Sequence, residues 1–143
     1  MDLLARREHT RWELRRKLGD RGFESEMIEQ VLDALTLEGL QSDVRFAEGY
    51  VAHRAERGYG PLRVIEDLQA RGVDNALIRE CINKNDPEWG RRIAAVRTKH
   101  FGMEWPGNTR ERARQSRFLY SRGFTGEQIQ RLMRQGDEFG DEL

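Results

Sequence analysis

Leu18-Gly19-Asp20-Arg21-Gly22-Phe23, Leu68-Gln69-Ala70-Arg71-Gly72-Val73 and Leu119-Tyr120-Ser121-Arg122-Gly123-Phe124 are three copies of one signal. Ile28 and Leu32 follow the first, Ile78 and Ile82 the second, Ile129 and Met133 the third. The shared pattern is L-x-x-R-G-[FV]-x4-I-x3-[LIM], and its glycines stand 50 and 51 residues apart. A glycine just past a helix end takes the left-handed conformation that a Cβ disfavours. The residue after it then packs back on the residue four positions before it, which pairs Phe23 with Leu18, Val73 with Leu68 and Phe124 with Leu119. The arginine before each glycine sits at the negative end of the helix dipole. The motif is a helix stop written three times, and it predicts a tandem repeat.

Working outward, a second helix begins at once in each copy. Asp74 and Thr125 are good N-caps, Thr125-x-x-Gln128 reads as a capping box, and Glu24 fills the same place less well. Ile28, Val31, Leu32 and Leu35 form a helical apolar stripe, which Ile78, Cys81, Ile82 and Ile129, Leu132, Met133 repeat. A third helix follows twice, since Asp43-x-x-Phe46-x3-Tyr50-x3-Arg54 matches Asp86-x-x-Trp89-x3-Ile93-x3-Arg97. Asp86-Pro87 reads as an N-cap with proline at the first helical position. In the third copy only Asp137-x-Phe139 remains, so its last helix is expected to be short or absent. First helices open at Thr10-x-x-Glu13, at Gly60-Pro61 and at Asn108-x-x-Glu111, and a helical lead is expected over Leu3 to Glu8. No segment reads as a strand. The expectation is an all-α fold, an elongated array of three tandem three-helix repeats with the last one shortened, over residues 1–58, 59–105 and 106–143.

The composition fits narrow amphipathic helices. Charged residues are 35% of the 143, hydrophobic residues 37%, and the mean hydropathy is -0.84. No run of 18 apolar residues and no signal-peptide core is present, and a single cysteine suits a reducing cytosol. The 25 basic and 25 acidic residues cancel. By segment they do not: residues 1–22 carry net +3, 23–48 carry −6 and 91–122 carry +7. First helices are thus mostly basic and second helices acidic. A basic face suits phosphate or an acidic protein groove. The alternative is pairing between basic and acidic helices within the chain. Arg16, Lys17, Arg63, Arg114 and Arg117 lie on first helices, and Arg54 and Arg97 share a late third-helix position; these seven are the candidate partner-binding residues. Arg21, Arg71 and Arg122 are already explained by the helix stops.

Catalytic and metal-binding patterns are lacking. His9, His53 and His100 have no H-x3-H or cysteine partner, and no phosphate-cradling or nucleophile-elbow glycine motif occurs. Cys81 occupies an apolar-stripe position and reads as a packed thiol. Trp12, Trp89, Trp105, Tyr50 and Tyr59 could stack on bases, but Trp89 and Tyr50 stand at repeat positions that favour packing. A DNA-reading helix–turn–helix is disfavoured because the reading helices would be the acidic ones. No enzyme, cofactor or metal is expected.

The chain resembles the RecX family, bacterial regulators of the RecA recombinase. The resemblance rests on Leu4-Ala5-Arg6-Arg7-Glu8-His9-Thr10 with Glu13-Leu14 and Lys17-Leu18, then on Asp43-x-x-Phe46-Ala47. It continues through Gly58-Tyr59-Gly60-Pro61 with Leu68 to Gly72, and Arg117-Phe118-Leu119-x-x-Arg122-Gly123-Phe124. These stretches span nearly the whole chain in order. Where Thr10 stands the family usually has Ser, an equivalent cap, and family members carry further residues ahead of the first helix, where this sequence opens on Met1. The resemblance implies a non-enzymatic protein that binds the RecA filament on single-stranded DNA, lies in its helical groove and suppresses ATP hydrolysis, strand exchange and coprotease activity. It also implies an all-helical repeat array with a basic surface. Contact with single-stranded DNA, a monomeric state and a cytoplasmic location belong to the same expectation. The competing expectation is a general helical nucleic-acid binder acting through a basic face.

Overall fold

The structure, a computed structural model, describes residues 7–141. Among these it has eight helices and no strand: α1 (Arg11–Asp20), α2 (Ser25–Leu37), α3 (Asp43–Glu56), α4 (Pro61–Ala70), α5 (Asn75–Cys81), α6 (Glu88–Phe101), α7 (Thr109–Ser121) and α8 (Gly126–Asp141). The all-α expectation holds. Leu3–Arg6 of the expected helical lead lie outside the described residues, and Arg7 and Glu8 are not helical.

The three stops have the hydrogen bonds that the motif demands. Phe23, Val73 and Phe124 donate their amides to the carbonyls of Leu18, Leu68 and Leu119 at 3.3, 3.1 and 3.3 Å. The glycine amides bond back to Gly19, Gln69 and Tyr120 at 3.0 Å each. Two further stops of the same geometry occur off the 50-residue register. Leu40 bonds back to Leu35 at 2.9 Å and Tyr59 to Arg54 at 3.1 Å. The second of these, Arg57-Gly58-Tyr59, is a fourth arginine–glycine–apolar copy.

The caps also form. Thr10 and Glu13 make the reciprocal capping box, and Asn108 accepts from the Glu111 amide at 2.8 Å. Thr125 and Gln128 exchange bonds of 2.8 and 3.1 Å. Asp86 accepts from the Glu88 amide at 2.9 Å, so it caps α6 although the helix begins after Pro87. α8 runs unbroken from Gly126 past Asp137, so no separate last helix stands there among the described residues, and the side chain of Phe139 lies outside them.

The chain divides into two compact units: Met1–Val51 with Glu66–Cys81, and Ala52–Ile65 with Ile82–Leu143. In the first unit Leu14 of α1 packs with Ile28, Leu32 and Leu35 of α2, with Leu18 and Val31 at the margin. Each such buried side chain contributes roughly 1.5–3 kcal/mol. A buried polar link flanks this core. Gln41 donates to Asp43 Oδ1 at 2.8 Å, and the Arg11 amide donates to the same oxygen at 2.9 Å. In the second unit the core is Ile93, Trp89, Leu119, Phe124, Ile129, Leu132 and Met133, from α6, α7, α8 and the turn between α7 and α8. The stripe positions read from the sequence are therefore interior except Val31 and Cys81, which are half-buried, and two of the three residues after the stop glycines are buried with them. Phe23 is the exception at 49% exposed, against 4% for Val73 and 0% for Phe124.

Candidate basic groove in the second unit

The arginines expected to bind a partner are placed differently by the fold. Arg16 is exposed, with its guanidinium 5.4 Å from the Trp12 ring. Lys17 is half-buried and its Nζ lies 2.9 Å from His9 Nε2. Both belong to the first unit. Arg54, Arg63, Arg97, Arg114 and Arg117 belong to the second.

Arg97 is inside the molecule. It is 2% exposed, stacks on Trp105 at 3.9 Å, and donates to the Glu104 carbonyl at 3.1 Å and to Gln115 Oε1 at 3.4 Å. Burial holds its proton affinity below the usual arginine value. Such a guanidinium organises the loop after α6 and has no surface to offer a partner. Its repeat mate Arg54 also stacks on an aromatic ring, Tyr59 at 4.1 Å, but is only half-buried. The shared position is therefore an arginine–aromatic packing position first.

Around Tyr59 three guanidiniums converge: Arg54 at 4.1, Arg122 at 4.9 and Arg63 at 5.6 Å. A ring face attracts each cation and spaces them apart. Arg114 is engaged with Glu111 at 3.1 Å, and that pair holds the Glu111 carboxyl below its usual range. Arg117 is exposed.

Next to this cluster is a groove of about 350 Å³. One wall is a face of α6: Arg92, Ala95, Val96 and Lys99 are spaced so that they line one side of a helix. The opposite wall is Phe118 of α7 with Arg122, its C-cap, and the rim is Glu56, Arg57 and Gly58 at the end of α3. Gly58 makes the close approach possible. Its φ is +88°, and a Cβ there would stand 3.2 Å from Val96 Cγ2. His100 lines the groove too and stacks on Phe118 with centroids 3.8 Å apart and planes at 12°. The cationic wall is thus Arg57, Arg92, Lys99 and Arg122 against the single carboxylate of Glu56.

Sequence reasoning named none of these four as partner-binding. Arg92, Lys99 and Arg122 lie in the +7 segment, which was the available signal. Arg57 had a second one, since it precedes Gly58 in the fourth arginine–glycine stop. Cys81 is half-buried, and burial with Glu48 and Glu80 nearby pushes its thiol up, away from the thiolate a nucleophile needs. Among the described residues no cluster of three metal-ligating side chains occurs, and no helix is long and apolar enough to cross a membrane.

Comparison with known proteins fits this architecture. The sequence matches the first, second and third three-helix domains of RecX over residues 1–35, 42–82 and 91–133. It is 45% identical over 133 residues to the regulatory protein RecX of Pseudomonas entomophila (strain L48), covering 93% of this chain and 86% of that protein. With the regulatory protein RecX of Halorhodospira halophila it shares 44% over 136 residues, 95% of this chain and 84% of that one. The crystal structure of RecX from Lactobacillus salivarius superposes with a TM-score of 0.77 at 20% identity, covering 95% of this chain and 90% of that chain, which shows the fold. Near-complete coverage by relatives above 40% identity, together with all three domains in order, makes the chain a member of the RecX family of regulatory proteins.

Proposed function

We propose that the chain is a non-enzymatic modulator that binds the RecA filament on single-stranded DNA and inhibits its ATPase, strand exchange and coprotease activities. Family membership over nearly the whole chain carries this reading. A repeat protein suits a repeating partner. Contacts made by the successive repeats, 1–58, 59–105 and 106–143, would each be weak, and tethering on one chain would add them through effective concentration. Exposed Arg16, Arg63, Arg114 and Arg117, with half-buried Lys17 and Arg54, are the contacts proposed, while buried Arg97 supports the fold that presents them. The chain would act as a cytoplasmic monomer without a cofactor.

The test is the rate of ATP hydrolysis by RecA on single-stranded DNA as the chain is added from substoichiometric to excess. Inhibition at substoichiometric ratios is expected, and an unchanged rate at every ratio overturns the proposal. The basic groove favours a second reading, a nucleic-acid binder acting without RecA. Salt-dependent DNA binding combined with an unaffected RecA ATPase would select it.

A further inference from the structure

We propose that the groove between α6, α7 and the end of α3 is a single-stranded nucleic-acid site, in which Arg57, Arg92, Lys99 and Arg122 hold backbone phosphates and His100 carries a base. The inference deepens the filament reading, on which it rests for the presence of single-stranded DNA.

Charge makes the first argument. Arg11, Arg15, Arg45, Arg91, Arg112, Arg114 and Arg131 are all ion-paired with carboxylates. Among the described residues no such pair involves Arg57, Arg92, Lys99 or Arg122; none involves Arg16, Arg110 or Arg117 either, and what sets the four apart is that they line one groove. Helix dipoles account for Arg57 and Arg122, which end α3 and α7. They do not account for both helix ends facing the one side of α6 that carries Arg92 and Lys99.

Ring geometry makes the second. His100, Phe118 and Phe101 have centroid separations of 3.8, 4.7 and 5.3 Å. These close a compact triangle, so Phe101 lies beside the His100–Phe118 stack and not across His100 from Phe118. The outer face of the exposed His100 ring is covered by neither ring. A flat ring backed by a second ring, in a groove rimmed by cations, is the arrangement on which an unpaired base stacks while its phosphate is neutralised. A duplex, whose bases are already stacked, gains nothing from it.

The experiment is fluorescence anisotropy of a labelled oligothymidylate of about 15 nucleotides, titrated with the whole chain over a salt series without RecA. Each phosphate neutralised contributes about −0.7 to the slope of log affinity against log salt. Arg92→Ala with Lys99→Ala is expected to make the slope shallower by about 1.4, and Lys99→Ala alone, at an exposed position, by about 0.7. His100→Ala is expected to weaken binding about tenfold and leave the slope unchanged. Arg91→Ala, at a cation already paired with Glu88, serves as the control that changes neither.

An unchanged slope in both Lys99 variants overturns the proposal, as does absence of binding by the wild-type chain at low salt. Displacement of the oligonucleotide by free thymidine monophosphate at equal nucleotide concentration, or by polyglutamate at equal charge, overturns it too, because the groove would then read a lone phosphate or an acidic protein. The same variants measured in the RecA ATPase assay separate the two ideas. Wild-type inhibition with an unchanged salt slope sinks the groove alone. Groove binding with no inhibition sustains the groove and sinks the filament reading.

Discussion

The amide of Gly60 donates to the carbonyl of Arg122 at 2.8 Å, seating the start of α4 on the stop of α7. In the first unit the Thr10 hydroxyl donates to the Arg71 carbonyl at 2.7 Å, seating the start of α1 on the stop of α4. Thr10 and Gly60 are 50 residues apart, and Arg71 and Arg122 are 51. The repeat in sequence is thus also a repeat in contact: a helix start of one copy docks on the helix stop of the next. A Cβ on Gly60 would lie 2.4 Å from the backbone of Gly123 and Phe124. Backbone on both sides has no flexible end to move aside. Gly60→Ala is therefore expected to cost about 2 kcal/mol or more, read as a lower urea midpoint.

Gly72 is under two constraints. Its φ is +77°, and a Cβ would meet Trp12 at 2.3 Å. Gly72→Val is expected to destabilise by more than about 1 kcal/mol. Gly49, inside α3 with open space around it, is the contrast. Gly49→Ala is expected to stabilise by about 0.5–1 kcal/mol. Thermal melts of the two variants should move in opposite directions, and a shared direction would remove the docking account.

Arg97 separates packing arginines from surface ones. Replacing it by Ala strips Trp105 of its stacked cation and leaves Gln115 and the Glu104 carbonyl short of a donor. A loss of about 3 kcal/mol is expected, and Arg97→Glu should be worse because it buries an opposite charge in the same place. Arg117→Glu, at an exposed position, should stay within about 0.5 kcal/mol of wild type. Circular dichroism melts decide, and equal effects at the two positions would contradict the burial of Arg97.

His9 makes stability depend on pH. It is 2% exposed, its Nδ1 lies 2.9 Å from the Arg7 carbonyl, and its Nε2 lies 2.9 Å from the Lys17 ammonium. A carbonyl only accepts and an ammonium only donates, which fixes the neutral tautomer with its proton on Nδ1. Burial, then Arg7 and Lys17, lower its pKa below the usual 6.5. The unfolded chain therefore takes up this proton first on acidification. Stability is kept above pH 6.5 and declines as pH falls through 6.5 toward the depressed folded value. His9→Gln can keep both hydrogen bonds without titrating. Its melting temperature should fall less than that of wild type between about pH 7.5 and about pH 5.5. Parallel declines would assign the pH dependence elsewhere.

Much of the fold was legible because helix starts and stops are local chemistry. Thr10, Asn108 and Thr125 cap through side chains within three residues, and Gly22, Gly72 and Gly123 end helices through their own backbone freedom. The stop at Arg57-Gly58-Tyr59 carries the same signal but falls off the repeat register, where only the helix opening at Gly60-Pro61 and a stretch shared with the family are read from the sequence. Where a three-helix repeat is cut is less local. A period of about 50 residues can be divided at any helix, and the family domains at 42–82 and 91–133 group α3 with α4 and α5, and α6 with α7 and α8.

Helix boundaries and apolar stripes are written in residues within a few turns of one another, and the repeat and the family are the recurrence and order of those local signals along the chain. Which cations face solvent is not written locally, because it depends on what an adjacent helix or loop sets against them. Arg54 and Arg97 are the same letter at the same repeat position. The loop that brings Trp105 back over Arg97 buries one guanidinium, while Tyr59 leaves the other half in water. By the same logic Arg57, Arg92, Lys99 and Arg122, scattered over 66 positions of chain, become one cationic groove only when α3, α6 and α7 fold together.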